Sequence, residues 1–124
     1  MNDIIVSKND FGQTVDLDLK IEEKYRYSMR GDGLIVCTPT GSTAYNLSAY
    51  GPLLEEDTQV LAVTPICAHT KDILPLVVSE KKKITIAVNH NDAGIYADGK
   101  HIGNTSASVT VSSADRKQKL YVRE

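Results

Sequence analysis

The chain has 124 residues, a formal net charge of −2 at pH 7, 41% apolar and 24% charged residues, and no tryptophan. That length suits one domain with a core of modest size, and the slightly acidic balance excludes the basic footprint that a nucleic-acid partner requires. Its two cysteines lack Cys-x-x-Cys spacing, which argues against a disulfide or zinc framework and predicts buried, reduced thiols at Cys37 and Cys67.

In chain order, Asn2 and Asp3 precede the apolar run Ile4-Ile5-Val6, and on their own they read as a polar terminus that frays. No basic-plus-apolar leader opens the chain, and no apolar run approaches the roughly 20 residues that span a bilayer, so a cytoplasmic protein without a membrane partner is expected. Thr14 to Ile21 alternates, with Val15, Leu17, Leu19 and Ile21 on one face and Asp16, Asp18 and Lys20 on the other, which is the pattern of a half-buried antiparallel strand. Lys24 to Met29 reads as its return, through a tight turn at Glu22-Glu23.

Leu34-Ile35-Val36 is a β-prone run that enters the loop Thr38 to Thr43. There Pro39 fixes one backbone angle, and Gly41 leaves room for close approach to the main chain. Ser42 or Thr43 is suited to cap a short helix through Ala49, and a capped helix start offers N–H groups to phosphate oxygens or to a base edge. The loop is not a phosphate-binding P-loop, since Ser42 stands where that motif needs Lys. Nor is Gly31-Asp32-Gly33 a dinucleotide fingerprint, because it lacks the third Gly and precedes its strand. On the residues alone a ligand loop and a purely structural strand-to-helix turn are both open.

Gln59 to Val63 is a continuous apolar strand that Pro65 should end. Leu76 to Val78 and Lys83 to Asn89 follow as strands, with Lys81-Lys82-Lys83 read as a solvated turn rather than an anion patch. Gly94 to Gly99 is a strand entering a turn at Asp98-Gly99, a pair that favours type I′ hairpin geometry. Ser106 to Val111 and Lys119 to Arg123 supply the last strands. Nine or so short strands and one short helix near Thr43–Ala49 predict a mainly β, two-sheet, sandwich-like domain over residues 1–124. His69, His90 and His101 share no ligand spacing with each other or with the cysteines, so no metal site is expected.

The segment Asp32-Gly-Leu-Ile-Val-Cys-Thr-Pro-Thr-Gly-Ser-Thr-Ala-Tyr-Asn-Leu-Ser48 strongly resembles the second large motif of the NAD kinase family. Other pieces fall in the family's order: Asn2-Asp3 resembles its short Asn-Glu/Asp motif, Pro65-Ile-Cys-Ala-His69 its Pro-Ile-Cys-Pro-His segment, and Asp98-Gly99 its late Asp-Gly turn. The family's Gly-Gly-Asp-Gly-Thr motif, whose Asp is taken as the base for the NAD 2′-hydroxyl, does not occur in this sequence. The resemblance therefore implies an NAD-binding, oligomer-forming C-terminal domain without the N-terminal kinase domain. Such a chain is expected to be inactive in isolation, with NAD as substrate and with ATP and Mg²⁺ engaged only in a complete enzyme that makes NADP.

By the same resemblance Asn2 would contact adenine and Asp3 a ribose hydroxyl, while Thr43, Ala44 and Tyr45 would line the adenine and ribose side. Asp32 would hold the nicotinamide end, from a neighbouring subunit in a dimer or tetramer, and His69 lies in a segment that reaches toward the neighbour's site. Thr40, Ser48 and Cys67 complete the expected NAD-binding set, with no catalytic and no metal-binding residue in the chain. Tyr50 replaces the first glycine of a usual Gly-Gly pair, so its ring must be housed. Ala68 stands where Pro is usual, and Leu74 where Arg is common. The competing expectation is a non-catalytic assembly module of β-sheets in which the ligand loop is a relic. A lipid kinase of related two-domain plan is more distant, as nothing marks a lipid site.

Overall fold

The computed structural model describes residues 2–114 and 119–123. Its strands are β1 (Asp3–Ser7), β2 (Val15–Ile21), β3 (Lys24–Gly31), β4 (Gly33–Cys37), β5 (Val60–Ile66), β6 (Leu76–Ser79), β7 (Ile84–Val88), β8 (Ala93–Ala97), β9 (Lys100–Thr105), β10 (Ser108–Ala114) and β11 (Lys119–Arg123). Between β4 and β5 lie a 3-10 turn (Thr40–Thr43) and one turn of helix, α1 (Tyr45–Ser48). The first sheet has the order β6-β5-β4-β1-β8-β9 and the second β11-β10-β7-β2-β3, antiparallel throughout. The expected mainly β, two-sheet architecture is what the chain adopts.

Alternation explains the layering. Val15, Leu17, Leu19 and Ile21 of β2 turn inward with Ile84 and Ile86 of β7 and Val109 and Val111 of β10. They meet Ile4, Val6, Leu34, Val36, Leu61, Val63 and Ile95 of the other sheet in one buried cluster. The outward residues of β2 are polar: Asp16 accepts a forked pair of bonds from Arg30 Nε and Nη2 at 2.6 and 3.1 Å, which holds its carboxyl below the ordinary range. β2 and β3 are joined at Glu22 and Glu23, both in the left-handed region at φ 50° and 66°. The twist of the hairpin requires this I′-like turn even without glycine there. At Asp98 and Gly99, φ 49° and 82°, the same turn joins β8 to β9 as expected.

The structure corrects several expectations. Pro65 does not end β5, which runs to Ile66. The Ile66 carbonyl accepts from Asp32 N–H, so by alternation Pro65 faces away from β4. On that side β6 pairs only with Val60 to Val63, and no ladder bond is forfeited by the missing N–H. The edge strand β9 lacks apolar alternation, which is why it escaped the sequence pattern. The last long strand begins at Ser108 rather than Ser106. Cys37 is buried and free as expected, whereas free Cys67 is exposed, at φ 50° just beyond β5. Lys81 and Lys82 do decorate the β6–β7 turn, bonded to Ser79. Among the described residues no helix is long and apolar enough to cross a membrane.

Candidate functional site

β1 lies between β4 and β8, pairing Asp3 with Cys37, Ile5 with Ile35 and Tyr96, and Ser7 with Gly33 and Gly94. Because Ile4 and Val6 point into the core, Asp3, Ile5 and Ser7 share the outer face. That face is also apolar: Ile5, Ile35, Cys37, Ala62 and Ile66 form a second buried cluster, against which Ala49, Leu54 and Tyr96 pack. The unbroken run Ile4-Ile5-Val6 thus serves two layers at once.

The segment from Thr38 to Leu54 crosses this outer face and is tied down by buried polar groups. Thr38 N–H donates to the Asn2 carbonyl at 2.9 Å and its hydroxyl does so at 3.2 Å. Ser42 Oγ donates to the Pro39 carbonyl at 2.7 Å and accepts from Leu54 N–H at 3.1 Å. Asn46, fully buried, donates to the Ser42 and Pro52 carbonyls at 3.1 and 2.9 Å and accepts from Thr64 Oγ1 at 2.6 Å. Neither Ser42 nor Thr43 caps a helix. The 3-10 turn and α1 have no side-chain cap, and the hydroxyls bond backward to the carbonyls of Pro39 and Thr40. With α1 a single turn, the segment offers side chains and close approach to its main chain rather than a helix dipole. Tyr50 is not housed: at φ 63° its ring stands 92% exposed.

Where this segment meets the start of β1 and the Asp98-Gly99 turn, a hollow of about 420 Å³ opens. Asn2, Asp3 and Ile5 form its floor, Thr40, Gly41, Ala44 and Tyr45 one bank, and Asp98 and Gly99 the other. The Asp98 carboxylate accepts the N–H groups of Asn2 at 2.7 Å and Asp3 at 3.0 Å, while Asp98 N–H donates to the Asp3 carbonyl at 3.2 Å. Asn2 and Asp3 are therefore no frayed terminus. Asp3 is only 5% exposed, and its Oδ1 has no hydrogen-bond partner among the described residues. Burial, then the neighbouring Asp98 charge, push the Asp3 carboxyl above its ordinary value of 3.8, while a backbone hydrogen bond to Asp98 acts the other way. Burial and Asp3 in turn push the Cys37 thiol up to about 12, so Cys37 is an unreactive buried thiol. A buried acceptor beside an open hollow is costly unless a ligand O–H or N–H reaches it.

Five of the expected site residues, Asn2, Asp3, Thr40, Ala44 and Tyr45, come together around this hollow. Thr43 and Ser48 are exposed on the same segment without lining it. Asp32, Cys67 and His69 lie at the other end of β1: Asp32 pairs with Lys8 Nζ at 3.1 Å, and His69 N–H donates to the Arg30 carbonyl at 2.9 Å. The five residues of β1 separate Asn2 from Lys8, six steps or about 20 Å at the usual rise. One copy cannot bring both groups to one small hollow. Sequence reasoning missed Ile5 and the Asp98-Gly99 bank as lining residues, and read Gly41 only as room for close approach to the main chain. The Asp-Gly pair was visible as a turn, but nothing local links it to Asn2. Among the described residues no three His, Cys, Asp or Glu side chains converge as metal ligands.

Comparison with known proteins bears on what such a hollow holds. Residues 1–122 match the family described as ATP-NAD kinase C-terminal domain. The chain is 43% identical over 101 residues to an NAD kinase of Thiobacillus denitrificans, covering 81% of this chain and 35% of that protein. It is 38% identical over 128 residues to an NAD kinase of Petrotoga mobilis, covering 99% of this chain and 47% of the relative. Among solved structures, an NAD kinase from Archaeoglobus fulgidus in complex with ATP superposes with a TM-score of 0.85 at 30% identity, over 92% of this chain and 45% of that one. Yeast NADH kinase complexed with NADH superposes with a TM-score of 0.82 at 26% identity, over 87% and 32%. The chain thus spans a third to a half of the length of the proteins it matches.

Proposed function

This chain belongs to the ATP-NAD kinase family, as that family's C-terminal domain, and we propose from that membership that it holds NAD while the dinucleotide's 2′-hydroxyl is phosphorylated to give NADP. The observation that carries the reading is the unpartnered, buried Oδ1 of Asp3 on the floor of the hollow. As a carboxylate it accepts a hydrogen bond from a ribose hydroxyl. Asn2 offers an amide to the adenine edge, Thr40 and Ala44 flank the sugar, and Tyr45 presents an aromatic face. Thr43 and Ser48 act from the same segment. Asp32, Cys67 and His69, at the far end of β1, serve the hollow of a second copy in a homodimer or tetramer. Phosphoryl transfer depends on positioning and charge neutralisation. ATP and Mg²⁺ would be engaged by parts that the relatives carry outside the matched region, and a cytoplasmic setting fits a reaction fed by ATP and NAD.

Calorimetry of the folded chain with millimolar NAD tests this. Heat of binding that disappears in Asp3→Ala is expected, and no heat from folded wild-type protein would sink the reading in favour of an assembly module.

Asp3 also makes a pH prediction. Its carboxyl titrates higher in the folded than in the unfolded chain, so the folded state holds the proton more tightly. Its contribution to stability is therefore fully present below 3.8 and is lost as pH rises through the raised folded value. Asp3→Asn should accordingly melt higher than wild type at pH 7, with the gap closing as pH falls toward 4, while NAD affinity drops. Melts across that range together with titrations check both halves. A variant less stable at pH 7 would contradict the assigned burial cost.

A further inference from the structure

The hollow continues past Gly99 along the outer face of β1. A second space of about 200 Å³ is lined by Ile5, Ser7, Tyr45, Tyr96 and Gly99, and it shares Ile5, Tyr45 and Gly99 with the first. Its distinguishing member is Tyr96, which no motif singled out. We propose that this slot takes one of the two planar heteroaromatic rings of the dinucleotide, with Tyr96 as the residue that the ring packs on; this rests on the reading of the hollow as an NAD site.

The argument starts from how the Tyr96 ring is held. It is half-buried against the outer apolar cluster, directly across from Ile5. Two residues back on the same face is Gly94, and a Cβ added there would lie 2.9 Å from Tyr96 Cε1 and 3.4 Å from its hydroxyl oxygen. The absence of that Cβ lets the ring lie back along β8. From the neighbouring strand His101, the cross-strand partner of Tyr96, meets the ring edge-on at 5.1 Å between centroids and 62° between planes. His101 is itself fixed, with Nε2 3.2 Å from Asn104 Oδ1. An aromatic surface oriented from two sides before ligand arrives loses little freedom on binding. Tyr45 stands on the opposite bank and Ile5 supplies an apolar floor between them. Two aromatic rings over an aliphatic floor favour a flat aromatic guest over a phosphate or a free sugar.

The test uses the whole chain and NAD. Tyr96→Ala and Tyr96→Leu should each weaken NAD binding by about 5-fold to 100-fold, the range that loss of one stacking partner gives, whereas Tyr96→Phe stays close to wild type. Gly94→Ala should weaken binding with the Tyr96 ring still present, because the new methyl lifts the ring from the sheet. In the wild-type chain, NMR should show cross-peaks between Tyr96 ring protons and the aromatic protons of bound NAD. Repeating the experiment with adenosine monophosphate and with nicotinamide mononucleotide identifies which ring enters. NAD binding that is unchanged in folded Tyr96→Ala and Tyr96→Leu, or absence of those cross-peaks at saturation, overturns the slot and leaves the proposed function standing. Failure of the folded wild-type chain to bind NAD overturns both.

Discussion

Asn46→Ala should lower the unfolding free energy by about 3 kcal/mol and the melting temperature by about 10 °C, because it orphans two buried groups and one half-buried carbonyl at once. The Asn46 amide answers the carbonyls of Ser42 and Pro52 and the hydroxyl of Thr64, and Asn46, Ser42 and Thr64 are all fully buried. The two buried partners lose bonds that water cannot easily replace, and truncation adds a small cavity. Thr64→Val removes only one member, and should cost about 1 kcal/mol. The double variant should cost less than the sum, since the two side chains share a bond. Urea and thermal melts of the set decide it. Strict additivity, or a melting temperature for Asn46→Ala within about 2 °C of wild type, would show that the network does not hold the segment down.

The second large effect is on binding. Gly41→Ala should weaken NAD affinity by at least about 10-fold, a penalty of the size expected when a binding loop is displaced from its productive position. A Cβ at residue 41 would lie 2.3 Å from the Asn2 carbonyl oxygen and 2.8 Å from its carbonyl carbon, both backbone atoms. That oxygen also accepts the N–H and hydroxyl of Thr38, so it cannot retreat without loosening the loop. Either the loop rises or Asn2 is pushed toward Asp98, and each outcome separates the two banks from the floor. Calorimetry alongside a melt distinguishes loss of the site from loss of the fold. An unaltered dissociation constant would mean that the hollow is not where NAD binds.

Much of the sandwich was legible because its residues obey local rules. The alternation of Val15, Leu17, Leu19 and Ile21 depends only on a strand having one buried face, and the Asp98-Gly99 pair only on the φ values of a I′ turn. Pro65 misled because the rule that proline ends strands assumes a neighbour on both sides, and β6 stops short of it. The site was legible in part. The long Asp32 to Ser48 motif identified the loop, and Asn2 and Asp3 came with the family resemblance. No local pattern, however, could reveal that the Asp98 carboxylate gathers the N–H groups of Asn2 and Asp3 from the opposite end of the chain. The burial that lifts the Asp3 carboxyl is likewise a product of that closure. Ser42 and Thr43 were legible as hydroxyl residues of a turn, yet their direction was not: competition between forward capping and backward bonding is settled by the Leu54 N–H and the floor beneath.

The placement of β1 has a bearing on how the molecule comes into being. Its five residues are sandwiched between a strand that follows some thirty positions later and one that follows some ninety positions later. During synthesis β1 must wait, unpaired on one side, until β8 has been made. Pairings this distant in sequence place the chain among slow, non-local folders. The floor of the hollow, Asp3 and Ile5, is then among the last surfaces to take shape, so a nascent or partly folded chain would present no completed hollow.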